Sequence, residues 1–369
     1  MSKQLQKYYD IEPLWSKGYT YSLAIGMRSN GKTYSALKKC LTIYAETGHQ
    51  FAVVRTWADD FKGKGGVTLF DPLIENGVID DLFNGEYTTV IYKSERWYLA
   101  KYDEKGKVIL APEPFAWAFP LTTYIHDKGS SYPRIRNVIY DEFMIDGFMP
   151  EGIVDTFFNC LSTIIRDKDD VRIIMIANTV NIYSPFFDAF GIDARKLVQG
   201  EIAEYHYADN PHLVVGVEFC DPVYRTEKQN KYFAFGRSST SDMITTGTWQ
   251  LPHYPRPPIR YTPKDIKFCC FIKYKELIIQ VDVIRGPYYY IAVAHKKSGE
   301  IKDAERDIVY DITYEGLQRN VIKNIYTSDT EFSRRLLLLK LEHKFYYSDN
   351  IVGESIRNWL HESKALIKK

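Results

Sequence analysis

The sequence predicts an α/β protein with a largely parallel sheet flanked by helices, followed by a smaller α/β domain. Three observations predict it. Short β-prone runs alternate with helically spaced apolar residues over about the first 180 positions. A glycine-rich loop joins the first such run to the first helix, and late in the chain three strand-like runs follow one another.

Residues 19–25 form the first β-prone run. Residues 34–44 then place Leu37, Leu41 and Tyr44 at helical spacing, and Gly48 separates that helix from the apolar run 51–54. Runs at 88–92, 96–102, 107–110 and 115–119, with a turn at 103–106, predict a hairpin inserted into the α/β core. Residues 138–140 read as a buried strand. Residues 153–165 read as a helix with Ile153, Phe157, Leu161 and Ile164 on one face, and 171–176 as another strand. Past residue 203 the periodicity is broken by Pro211, Pro222, the serine-rich 238–241 and the proline-rich 251–258. This places a first domain at 1–203, a linker at 204–250 and a second domain at 251–369, with strands at 268–274, 277–283 and 288–294 ahead of helices.

Composition narrows the classes. The chain has 369 residues, 45% of them apolar, with 29 Tyr and 20 Phe, unlike a disordered polymer. Net charge is only +1, so a nucleic-acid surface has to be local or assembled from several subunits. Cys40, Cys160, Cys220, Cys269 and Cys270 are odd in number and lack C-x-x-C spacing, which favours buried thiols over disulfides or zinc. The eight histidines form no metal-binding pair of the H-E-x-x-H kind. The opening residues lack a leader pattern, and no apolar stretch reaches the roughly 20 residues of a membrane span, so a soluble intracellular protein is expected.

The chemistry concentrates in two motifs. Residues 26–33, GMRSNGKT, satisfy G-x-x-x-x-G-K-[ST] between a strand and a helix. In such a loop the backbone of Gly26, Arg28, Ser29, Asn30 and Gly31 cradles phosphates. Lys32 supplies charge to the β and γ groups, and Thr33 supplies a hydroxyl to Mg²⁺. Residues 137–142, NVIYDE, are an apolar strand ending in two carboxylates, with Asp141 placed to hold Mg²⁺ and Glu142 to orient and deprotonate the attacking water. Asn178 ends the strand after these. Its amide reaches the γ phosphate or the lytic water if that strand lies between the other two; otherwise it is a turn residue. Arg166 is either an arginine that enters a neighbouring subunit's site or a cation favoured at a helix C-terminus.

GMRSNGKT, YPRIRNVIYDEF and IIRDKDDVRIIMIANTV, in this order and spacing, resemble the DNA-packaging ATPases of small tailed phages, the phi-29-like encapsidation proteins related to terminase large subunits. The resemblance implies an ASCE-type P-loop ATPase core. It also implies an ATP- and Mg²⁺-dependent motor: a homo-oligomeric, pentameric ring on the portal of the prohead that moves double-stranded DNA, in the host cytoplasm and away from membranes. Residue by residue, Lys32 and Thr33 match the phosphate-loop pair, Asp141 and Glu142 the acidic pair, Arg166 the trans-acting arginine and Asn178 the equivalent strand end. Lys128, in the loop 127–131, matches a lysine that faces DNA in the pore, and a small-residue loop with one cation suits sequence-independent phosphate contact. One departure is that Thr56 and Ala58 do not supply the second basic residue that follows the position of Arg55 in the family; Lys62 or Lys64 could substitute.

The second domain resembles the RNase H-like nuclease of larger packaging ATPases. Two-metal cleavage needs several converging carboxylates, and here only Asp282 is well placed, beside later Asp303 and Asp307, so the domain reads as a nuclease relic. Residues 334–369 carry eight Lys/Arg against four Asp/Glu, suited to nucleic acid, an acidic portal surface or simple solvation. Two other readings stay open: a terminase-like enzyme with an active nuclease, and a nucleotide-sensing DNA-binding assembly factor with little turnover.

Overall fold

Apolar runs rich in β-branched residues become central strands because both of their faces can be buried. The computed structural model describes residues 8–127, 131–145, 147–221, 249, 254–286, 289–301, 303 and 305–367, in two units, 1–250 and 251–369. The first unit contains β1 (Tyr21–Gly26), β2 (Gln50–Arg55), β3 (Thr89–Lys93), β4 (Arg96–Tyr102), β5 (Val108–Leu110), β6 (Ala116–Pro120), β7 (Ile135–Asp141), β8 (Arg172–Asn178), β9 (Ile202–Tyr207) and β10 (Asn210–Phe219). They form one sheet of order β3-β4-β6-β2-β7-β8-β1-β10-β9, with β5 on β4. From β6 to β10 every pairing is parallel. The expected hairpin is the antiparallel β3–β4–β5 extension at one edge.

This topology sends the carboxyl ends of β1, β7 and β8 to one edge of the sheet, in the order β7-β8-β1. Helices hold it in place. Helix Lys32–Thr47 buries Ala36, Leu37, Cys40 and Leu41, and ends at Gly48, whose left-handed backbone lets its N–H reach the Tyr44 carbonyl. Helix Ile153–Ile165 buries Ile153, Phe157, Cys160, Leu161 and Ile164. Beside β2, an aromatic cluster of Phe51, Phe70, Trp97 and Phe115 is fully buried, each ring contributing about 2 to 3 kcal/mol of hydrophobic stabilisation.

The linker expected from residue 204 does not begin there. Residues 202–219 are β9 and β10, and β10 pairs in parallel with β1 from Tyr21↔Val215 to Ile25↔Phe219. Asn210-Pro211 reads as a chain breaker in the sequence, yet it sits only at the outer end of β10, where the register with β9 shifts. Gly216, within β10, lies under the Tyr19 ring, where a Cβ would fall 2.1 Å from a ring carbon.

The second unit contains β11 (Ile266–Tyr274), β12 (Leu277–Arg285), β13 (Tyr290–Lys296), β14 (Val309–Asp311), β15 (Val321–Ile322) and β16 (Phe345–Tyr347). Their order is β15-β14-β11-β12-β13-β16: an antiparallel meander, β11 to β13, extended by parallel strands on both sides. Helices Glu331–Leu341 and Asn350–Ala365 follow, capped by the side chains of Thr330 and Asp349. All five cysteines are free thiols, and all but the half-buried Cys269 are buried. Among the described residues, no helix is long and apolar enough to cross a membrane.

Candidate functional site

The glycine loop folds as its residues require. Gly26 ends β1 against Cys220, where a Cβ would meet the cysteine Cβ at 3.0 Å, and Gly31 takes φ +95°, a left-handed backbone that opens the following helix. Ser29 is also left-handed, at φ 61°. A strap from the N-terminal segment fixes the loop from outside. Tyr9 donates its N–H to the Asn30 carbonyl at 2.9 Å and its hydroxyl to Glu218 at 2.6 Å, and the Ile11 N–H reaches Ser35 Oγ at 2.9 Å.

Inside the loop Lys32 is 5% exposed. Its ammonium donates to the carbonyls of Met27 (2.6 Å) and Gly26 (3.2 Å) and to Asn30 Oδ1 (3.3 Å). Burial lowers its pKa to about 8, opposed by Cys220 and Asp141. Such a cation is primed for a polyanion. Among the described residues, the buried Asn30 side-chain nitrogen has no hydrogen-bond partner.

Across the cleft Asp141 ends β7 and is 2% exposed. Thr33 Oγ1 donates to its Oδ1 at 2.9 Å and Arg55 Nη2 to its Oδ2 at 2.5 Å. Burial works against the Arg55 charge, but Asp141 outweighs it and raises the guanidinium pKa further. Glu142 follows at φ 57°, a backbone state that a non-glycine residue adopts only under constraint, here the bond from the Phe143 N–H to the Ile176 carbonyl. Burial raises the Glu142 pKa, and the charge of Asp141 adds to this, against Arg55 and Arg28.

A cavity of about 330 Å³ joins the two motifs, lined by Arg28 to Tyr34, Asp141, Glu142 and the β8 end Ile176 to Asn178. β8 lies between β7 and β1, and Asn178 stands in register with Gly26, so its side chain shares the cavity. Arg166 does not line it. This exposed residue follows helix Ile153–Ile165 at the opposite, amino-terminal edge of the sheet, six positions before β8 begins. Lys128 lies outside the described residues. Thr56 is buried and bonded to Tyr140, and Lys62 pairs with Asp59 at the surface.

Sequence reasoning noted Arg55 as a basic position of the family without bringing it to Asp141, and missed Tyr9 on the loop and Cys220 beneath it. Arg55 carried a faint signal as a lone cation at the end of an apolar strand. The other two depend on β10 lying beside β1, which the sequence did not announce.

Comparison with known proteins follows this geometry. The Podovirus DNA encapsidation protein (Gp16) family matches residues 1–366. The chain belongs to this family. As an encapsidation protein it acts in packaging viral DNA. It is similar to the DNA packaging protein of Bacillus phage phi29, 24% identical over 332 residues covering 87% of each chain. The similarity to that of Bacillus phage B103 is 27% over 175 residues, 46% of this chain and about half of that protein's length (48%). The fold resembles the solved Phi-28 gp11 DNA packaging motor, with TM-score 0.51 and 14% identity, over 97% of both chains.

Proposed function

We propose that this encapsidation protein is an ATP-driven motor that moves double-stranded DNA through the portal into the prohead as part of a homo-oligomeric ring, read as a pentamer. One observation carries the hydrolytic half of this reading: the cavity in which Lys32 and Thr33 face Asp141 and Glu142.

The residues fit the substrate. Three loop oxygens now bonded to Lys32 are replaceable by phosphate oxygens, which bring the negative charge that a buried ammonium lacks. Thr33 and Asp141 present hard oxygen donors, already 2.9 Å apart, that suit Mg²⁺. When bound, the ion neutralises charge on the β and γ phosphates. Glu142 accepts the proton of the attacking water, and its constrained backbone fixes its direction. Asn178 orients that water or the γ phosphate.

Arg166 stands about one strand length, roughly 20 Å, from its own chain's cavity. That distance supports action on a neighbour's nucleotide. Lys128 is assigned to the DNA backbone. In the second unit, the β11 to β13 meander with β14 and β15 parallel beside it supports the RNase H-like reading. Asp282 accepts from Tyr261 (2.8 Å), Gln280 (2.7 Å) and His295 (2.9 Å), so both its oxygens are engaged, which supports a relic over an active nuclease.

Glu142→Gln tests the motor. It is expected to bind ATP with unchanged affinity and to hydrolyse it about 10² to 10⁴-fold more slowly in single turnover, with or without DNA. Hydrolysis at the wild-type rate sinks the assignment of Glu142. Wild-type turnover that double-stranded DNA does not accelerate sinks the motor.

A further inference from the structure

The two turns that lead into β7 and β8 sit side by side at the amino-terminal edge, because these strands are parallel neighbours in register from Asn137↔Arg172. A reciprocal brace joins them. From the β8 side, Lys168 Nζ donates to the carbonyls of Tyr132 at 2.7 Å and Ile135 at 2.8 Å. From the β7 side, Arg136 Nε donates to Asp170 at 2.8 Å, while its Nη1 holds the Pro133 carbonyl at 2.6 Å. Tyr132 is buried edge-on against Trp117 and Phe119, which anchors the grip to β6. Arg166 lies two residues before Lys168, and Lys128 four residues before Tyr132.

We propose that Lys168 is a positioning residue: its grip on Tyr132 and Ile135 makes the arginine-bearing turn and the segment leading from the DNA loop move as one body. This rests on the reading of Arg166 and Lys128 given above. Drawing Arg166 to a neighbour's nucleotide and holding DNA ahead of Tyr132 then act on one braced unit, residues 132–136 with 166–170. The bonds are charge-assisted and partly desolvated, conditions under which they resist being traded for water. Burial, with Arg136 nearby, lowers the Lys168 pKa to about 8, opposed by Asp170.

The test uses the full chain assembled on proheads and compares hydrolysis with and without double-stranded DNA. Lys168→Met is expected to keep basal hydrolysis within about twofold while DNA stimulation falls about tenfold, in the range of measured couplings between sites. Lys168→Arg, which keeps donors for both carbonyls, is expected to recover most of it. A folded Lys168→Met chain with full stimulation overturns the inference. Should Lys168→Met fail to fold, Asp170→Asn, on the exposed side of the brace, decides: stimulation about threefold lower supports the coupling, and unchanged stimulation overturns it. Arg166→Ala and Lys128→Ala separate the two layers. If both abolish stimulation while Lys168→Met does not, only the brace is wrong; if neither affects it, the underlying reading of those residues is wrong.

Discussion

Asp141 carries two opposite demands: it must be charged to hold a cation, yet it is 2% exposed. Arg55 reconciles them, placing a guanidinium on one carboxylate oxygen while Thr33 takes the other. Removing one partner of a buried pair leaves an uncompensated charge, which costs about 3 to 5 kcal/mol. Arg55→Met is therefore expected to destabilise the first unit by about 3 kcal/mol in urea unfolding without nucleotide. The loss is expected to shrink with Mg-ATP present, since bound ligand stabilises the folded chain and returns positive charge to the carboxylate. Equal losses in both conditions refute this role for Arg55.

Elements were legible in the sequence where one local pattern sufficed. β1, β7 and β8 each hold a short apolar run, and helix Ile153–Ile165 shows its buried face in its spacing. β9 and β10 were not, because β9 is half-exposed with Glu204 and His206 turned outward, and β10 opens on Asn210-Pro211. Their identity comes from pairing with β1, a contact across nearly 200 residues that no local window contains. β12 and β13 were legible as strands, yet Asp282 stands alone in the sequence and is paired only in the fold. Burial opposes its charge, yet the bonds from His295, Gln280 and Tyr261 prevail and hold its pKa below the usual carboxylate value. The bond to Asp282 raises the His295 pKa against the effect of burial. Because the folded value exceeds the unfolded one, this stabilisation is complete below about pH 6.5 and is lost as pH rises through the raised value. Hydrogen-exchange protection of β12 and β13 amides is expected to fall across that window, and His295→Asn to flatten the dependence. Protection that is level in the wild-type chain, or unchanged in the variant, speaks against the pair.

At the scale of the whole molecule the parallel sheet separates functions by edge. The carboxyl edge carries Lys32, Asp141, Glu142 and Asn178, while the amino edge carries Arg166. If Arg166 completes a neighbour's cavity, each subunit owns half of two sites, and head-to-tail contacts around a ring supply the other halves. Two defects on opposite edges then complement each other. Lys32→Ala spoils a subunit's cavity but leaves its arginine, and Arg166→Ala does the reverse. Either alone is expected to leave ATP hydrolysis near background. Mixed in equal amounts before assembly, random order around the ring pairs an intact cavity with an intact arginine at about a quarter of the contacts. DNA-dependent hydrolysis is expected to return toward that fraction of the wild-type rate, less whatever coordination between subunits removes. An arginine acting within its own chain, or only as a cation at a helix end, predicts no recovery at any mixing ratio. Because both variants carry the same surface for DNA and portal, recovery reports on the shared site alone.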